Sequence, residues 1–274
     1  MDDETSKMTQ LTFKLKQALT HSLDCSQLTP DLLKGLNINQ IGAIALHDQR
    51  VSDLFEMTGE DAENIDFKNS NQFFENVGKN MTLGSITLEG DAGAYLGFGL
   101  KNATIHCTGS AQAFAACNMV SGLLKIDGDT GDFLGGASSG LRKGMRGGTV
   151  IVKGNAGDRV GDQMRRGLIL IEGNVGNYCA SRMIAGTIGV LGNVGEYACF
   201  NMKRGTLLLA KRPKLHASIQ DCGTHTLPFL NLLFKSFKPF NTQFSNIETK
   251  RVQRFVGDAA CSGNGEILIL LPAS

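Results

Sequence analysis

Four residues near the C-terminal end carry side chains that can bind zinc: His216, Asp221, Cys222 and His225. A structural zinc site wants four ligands in closed tetrahedral geometry. The spacing H-x4-D-C-x2-H matches no zinc-finger or ribbon frame, so these residues read as a candidate only. The seven cysteines are scattered without a CxxC pair. That argues against an iron–sulfur or zinc-ribbon frame and for a reducing compartment, the cytoplasm. His106 falls in an outward position and reads as a surface histidine. The chain holds no GxSxG elbow, no Walker loop, no HExxH and no EF-hand loop, and no catalytic residue is expected in it. GxxG spellings abound, but none opens a helix, so they read as corners rather than phosphate loops.

A second group is purely cationic. Lys101, Arg142, Lys143, Arg146, Arg165, Arg166, Lys203 and Arg204 recur at related positions. Their chemistry would be electrostatic, the recognition of carboxylates or another anion. Whether they converge depends on the element that carries them.

That element is a repeat. Stepping by nineteen from Gly84 reaches Ala103 and Gly122; after a seven-residue insertion the series resumes at Gly148, Gly167, Gly186 and Gly205. Two residues after each anchor stand Ile86, Ile105, Leu124, Val150, Ile169, Ile188 and Leu207. Four after it stand Leu88, Cys107, Ile126, Val152, Ile171, Val190 and Leu209. The position between is mixed: Thr87, His106, Lys125, Ile151, Leu170, Gly189 and Leu208. Alternation with period two means a strand with one buried face. Six of the nine methionines fall three residues before an anchor, beside Leu100. They read as adaptable core filling rather than a soft-metal path. Eleven after the anchor lies Tyr95, Phe114, Phe133, Arg159, Tyr178 and Tyr197. Glycines six and nine after the anchor are expected at positive φ in tight corners.

A nineteen-residue unit is too short for helix-pair repeats and lacks leucine-rich grammar. The expected fold is all-β, a right-handed parallel β-helix of about seven coils. Stacked at ~4.8 Å per coil, the rod would be roughly 34 Å long. Residues 81–210 form this solenoid. Residues 1–80 and 211–274 are small mixed caps, needed because an open solenoid has raw edges. Leu11–Leu15 alternates like a strand, Pro30–Leu33 starts a short helix, Thr226–Phe234 suggests a capped amphipathic helix, and Gly265–Leu270 a final buried strand.

Stacking turns the cations into a stripe along one edge of the rod. Like charges so close repel, and two answers are open. Either Asp158, Asp162, Glu172 or Glu196 pairs with them inside the chain, or an acidic partner surface or polycarboxylate ligand does.

The acidic, polar start MDDETSKMTQ is neither a secretory signal nor a transit peptide. No apolar run approaches the ~18 residues of a membrane helix. A net charge of +1 gives no reason to invoke nucleic acid.

The units GxIxVxGNAGDxVGxxMRRG, the insertion after the third coil, and the closing Arg254–Ala260 with Gly263–Leu268 resemble the C-type subunits of formylmethanofuran dehydrogenase. The same type occurs in the formyltransferase/hydrolase complex of methylotrophic bacteria. The resemblance spans residues 11–271. The coil units alone are shared with the GXGXG domain of glutamate synthase, an ammonia-channel support. The resemblance implies a non-catalytic scaffold subunit in one-carbon metabolism, in the oxidation of formaldehyde to formate. Tungsten or molybdenum pterin and iron–sulfur clusters would sit in partners of the dehydrogenase. Amidohydrolase-like A, B and formyltransferase D subunits would be the partners in the hydrolase complex, with metals there and methanofuran as carrier. It also gives the stripe a ligand, the polyglutamyl tail of methanofuran. Asn and Gln usage with 19% charged residues favours the bacterial hydrolase complex over a thermophilic dehydrogenase. A free-standing polysaccharide-acting β-helix enzyme would want a secretory signal and an outward carboxylate cluster, and the sequence has neither.

Overall fold

The computed structural model describes residues 9–272. Its centre is the repeat. Strands β4 (Ser85–Gly90), β5 (Thr104–Cys107), β6 (Leu123–Ile126), β7 (Thr149–Val152), β8 (Leu168–Ile171), β9 (Thr187–Val190) and β10 (Thr206–Leu209) pair in parallel, each with the next. The register is the repeat itself: Val150 faces Ile169, Ile169 faces Ile188, and Ile188 faces Leu207. All fourteen inward residues of the two aliphatic columns are buried. Each thereby removes apolar surface worth ~1.5–3 kcal/mol from water. The methionine column, Leu100 included, is fully buried beside them.

A second side is stacked by parallel bridges joining Ala92, Ala111, Thr130, Ala156, Val175 and Val194 in succession. On a third side the chain turns sharply, and its donors alternate direction. Tyr95 donates its N–H forward to Ala113 O, Gly97 back to Val77 O, and Gly99 forward to Cys117 O. Alternation of this kind needs left-handed residues at every second position, here φ 62°, 65° and 68°. The result is a β-helix-like solenoid.

The sheet continues past both ends of the repeat. Strands β1 (Gln10–Leu15), β2 (Phe55–Thr58) and β3 (Asp61–Ser70) extend it before β4; β11 (Gln220–Thr226), β12 (Arg251–Gly257) and β13 (Gly265–Leu270) extend it after β10. The whole is one thirteen-stranded sheet in the order β11-β12-β13-β10-β9-β8-β7-β6-β5-β4-β3-β1-β2. Pairing is parallel from β1 through β13 and antiparallel only at β1–β2, β12–β13 and β11–β12. The expected strands at 11–15 and 265–270 are therefore present as β1 and β13, and a helix runs Pro30–Leu33. No helix among the described residues is long and apolar enough to cross a membrane.

Two expectations need correction. Thr226 does not cap a helix: it ends β11, and the helix α1 (Leu230–Phe237) starts later with no side-chain cap. Hydrophobic burial, not capping, holds that helix. Nor do most corner glycines sit at positive φ, which belongs instead to anchors such as Gly167 and Gly186, at 107° and 112°. At the corners the constraint is close approach. A Cβ on Gly173 would lie 2.6 Å from Gly154 C, and one on Gly128 would lie 2.8 Å from Gly109 C. Any side chain would push successive coils apart.

The mixed outward column sorts by what covers it. Leu170 and Leu208 are buried under α1 and the turn after it, in a separate cluster with Leu230, Phe234, Phe237, Phe244, Val252 and Leu268. Gly189 is small because Phe244 stands on it: a Cβ there would meet Phe244 Cε1 at 2.7 Å. In the earlier coils the same column holds partly exposed His106 and Lys125, and His106 Nε2 bonds Asp127 Oδ2 at 2.9 Å. Asp127 also meets Lys153 Nζ at 2.7 Å. Burial pushes the Asp127 carboxyl up, but its bonds to Lys153 and His106 outweigh this and leave it below the usual range.

Candidate functional site

The cations sit where the turn side returns to the strand side. Arg146, Arg165 and Lys203 occupy one column, tied coil to coil by Arg146 N–H to Met119 O, Arg165 N–H to Met145 O and Lys203 N–H to Met183 O. The backbone is thus fixed while the side chains project outward. Lys101, Arg142, Lys143, Arg146, Arg165, Arg166, Lys203 and Arg204 are all exposed. The stripe is not continuous. Val120 and Ile184 hold the same column in the third and sixth coils, so Arg146, Arg165 and Arg166 form its dense centre.

The insertion joins that centre. Ala137 keeps its coil position, donating its N–H to Asp162 O at 3.0 Å, and Met145 resumes with its N–H to Gly135 O at 2.8 Å. Residues 138–143 leave the coil between those two points, and Gly144 is already back on it, donating its N–H to Gln163 O at 3.1 Å. Residues 138–143 carry Arg142 and Lys143, and Leu141, which is 44% exposed.

Internal neutralisation of the stripe does not occur among the described residues. None of the eight cations forms a salt bridge. The four acids that could have answered them are engaged elsewhere. Asp162 is buried and receives the Arg182 guanidinium through two bonds, with Ser181 Oγ at 2.7 Å. Glu196 pairs Lys214 at 3.2 Å. Glu172 accepts both Gln243 N and Nε2, at 2.8 and 3.0 Å. Asp158 accepts the Asn177 N–H at 2.7 Å. Among the described residues Lys203 alone of the stripe is tied down by its side chain, donating Nζ to Cys261 O at 2.6 Å.

The four zinc-type residues do not come together. His216 Nδ1 bonds Ser218 Oγ at 2.6 Å, His225 Nε2 meets Cys222 O at 2.9 Å, and Asp221 accepts the Gly223 N–H at 2.8 Å. Among the described residues no group of three or more His, Cys, Asp or Glu is placed to hold a metal ion. Cys25, Cys107, Cys117, Cys179 and Cys199 are buried. Burial pushes the Cys107, Cys117 and Cys179 thiols up to about 12, so they are not nucleophiles at neutral pH.

Two features lie beyond what the sequence alone suggests. Asp91, Ser110, Asp129, Asn155, Asn174 and Asn193 form a polar ladder, each side-chain oxygen accepting the backbone N–H of the next rung at 2.6–3.1 Å. The repeated GN and GD spellings are its signal. The aromatic column is also held left-handed throughout, φ 58–65° from Tyr95 to Tyr197. That costs roughly 1–2 kcal/mol per bulky residue. Stacking at 4.9–5.0 Å between ring centroids offsets it, with Arg159 lying 4.6 Å from the Tyr178 centroid.

Fold and edge together define a β-solenoid protein whose cationic stripe has no salt-bridge partner among the described residues. No protein-family model matches the chain, and no curated protein does. A solved structure does. One chain of the formyltransferase/hydrolase complex (FhcABCD) from Methylorubrum extorquens, in complex with methylofuran, is 35% identical with a TM-score of 0.89, over 96% of this chain and 100% of that one. The chain belongs to the family of that solenoid component of the complex.

Proposed function

We propose that the chain is the C-type component of a formyltransferase/hydrolase complex and acts there as a non-catalytic scaffold. The likeness at 35% identity over 96% of the chain carries this reading. In it the winding is a right-handed parallel β-helix of the GXGXG type, with residues 1–80 and 211–274 serving as caps on 81–210. Amidohydrolase-like A, B and formyltransferase D subunits supply the metals and the reacting groups. A furan carrier of the methanofuran class is the substrate of the assembly. The neighbour's own description, a hydrolase complex with methylofuran, supports the hydrolase assignment over the dehydrogenase and over a glutamate-synthase-like domain.

The stripe is the candidate contact. Arg142, Lys143, Arg146, Arg165, Arg166, Lys203 and Arg204 present charge that nothing in the described chain neutralises. They would receive an acidic partner surface or the polyglutamyl tail of the carrier. Co-expression with the other subunits tests the role: a stable complex that releases formate only when this chain is present is expected. A lone chain that turns over formylated carrier overturns it. Within the complex, Arg165→Glu with Arg166→Glu should weaken assembly or carrier affinity about tenfold while the isolated chain melts within a degree or two of wild type. Both substitutions are on an exposed surface, where stability effects stay near ±0.5 kcal/mol. Unchanged assembly and affinity reject the stripe.

A further inference from the structure

The solenoid is closed at its C-terminal end on some sides and open on one. On the strand side β13 pairs with β10. On the turn side the Asn201 N–H is taken by Asp258 Oδ2 at 3.0 Å. Between them lie two series of forward-pointing donors. Ala92, Ala111, Thr130, Ala156 and Val175 donate to the carbonyls of Ser110, Asp129, Asn155, Asn174 and Asn193, at 2.8–2.9 Å. Tyr95, Phe114, Phe133, Arg159 and Tyr178 donate to those of Ala113, Asp132, Asp158, Asn177 and Glu196, at 2.7–3.0 Å. The next members, Val194 and Tyr197, have no acceptor among the described residues.

The side chains end equally abruptly. Asn193 closes the polar ladder, with no rung after it among the described residues. Tyr197 stacks on Tyr178 with one face and is 48% exposed, and Phe200 beside it is 42% exposed. Raw backbone edges with exposed aromatics recruit other chains unless blunted by lysine, proline or a bulge. Residues 192–197, Gly-Asn-Val-Gly-Glu-Tyr, contain none of these. Lys214, with Leu215 and His216, lies beside the edge and pairs with Glu196 at 3.2 Å, yet accepts neither free N–H.

The repeat also specifies what would fit. At the levels from Phe114 to Tyr197, what rests on the ring or guanidinium before it is again a ring or a guanidinium. We propose that residues 192–197 are a docking edge for an extended segment of another subunit. That segment adds one more level to the solenoid: it accepts hydrogen bonds from Val194 and Tyr197 and lays an aromatic or arginine side chain on Tyr197. That the partner is another subunit rests on the functional reading above; the edge itself rests on the unpaired donors.

Two variants test it. Val194→Pro deletes a donor that bonds nothing among the described residues, as edge positions tolerate. Tyr197→Asn removes the ring while keeping a residue at ease in left-handed backbone. Val175→Pro, one coil inward, breaks a 2.8 Å bond and serves as the destabilised control. Both edge variants should melt like the wild-type chain yet bind the purified remaining subunits at least tenfold more weakly. Backbone amides of Val194 and Tyr197 should exchange freely in the isolated chain and become protected in the assembly. If wild type assembles and Tyr197→Asn assembles equally well, or the two amides stay unprotected in the complex, the edge is overturned and the scaffold reading stands. If wild type forms no complex, both fall. A homodimer of the isolated chain that Tyr197→Asn dissolves overturns the choice of occupant.

Discussion

Phe244→Ala separates the cover from the coil it lies on. Phe244 is fully buried, its ring 6.0 Å from that of Phe237 and pressed onto the gap left by Gly189. Truncating a buried phenylalanine costs about 3–5 kcal/mol. The cost falls on a cluster distinct from the main core, so its effect should stay local. At ~1.4 kcal/mol per decade, 3 kcal/mol raises the open population of residues 230–247 about a hundredfold. Hydrogen exchange read by mass spectrometry should show that acceleration in peptides spanning Leu230–Phe237 and Gln243–Asn246. Amides of β8 and β9 should keep their protection, because their bonds run to neighbouring coils. Unchanged exchange over 230–247, or loss of protection in β8 and β9 in step with it, would refute the view that cover and coil are separate layers.

Asp258 links the last strands to the final coil. Burial pushes its carboxyl up, but hydrogen bonds from Ser218 and from the Asn201 and Ala260 amides outweigh this and hold it below the usual carboxylate range. A carboxylate depressed in the folded state stabilises above the unfolded value and loses that contribution as pH falls. Asp258→Asn should therefore melt lower than wild type at pH 7, with the gap closing below about pH 4; a gap constant from pH 7 to pH 3 would contradict it. For the thiols, five of the seven cysteines are buried, leaving Cys222 and Cys261 partly exposed. Iodoacetamide on the native chain should add two groups and, after denaturation, seven; rapid native labelling at Cys107 or Cys179 would be inconsistent with the packing described.

The coil is legible in the sequence because its physics repeats. Ile169 and Ile188 differ by one period, and a strand that must bury the same face seven times writes that face as a column. The stripe is legible for the same reason. Which acids would oppose it is not, since Asp162 turns to Arg182 and Glu196 to Lys214 through contacts with no sequence period. Gly189 is equally opaque: its smallness answers Phe244, fifty-five residues on. Positive φ is the wrong cause for most corner glycines because close approach selects glycine as well, and only the folded chain tells the two apart. Left-handed aromatics could not be foreseen, because Tyr and Phe ordinarily avoid that backbone.

The alternating donors at Tyr95, Gly97 and Gly99 act as a reading frame for the folded chain. One residue gained or lost within such a turn would invert the direction of each amide that follows and sever a coil from both neighbours. Length can therefore change only by whole coils, or by loops expelled between two adjacent positions of the unit. Residues 138–143 follow the second route. Further additions at that same point should be accepted with little loss, which makes it the natural place to graft a tag or a new binding segment onto this rod.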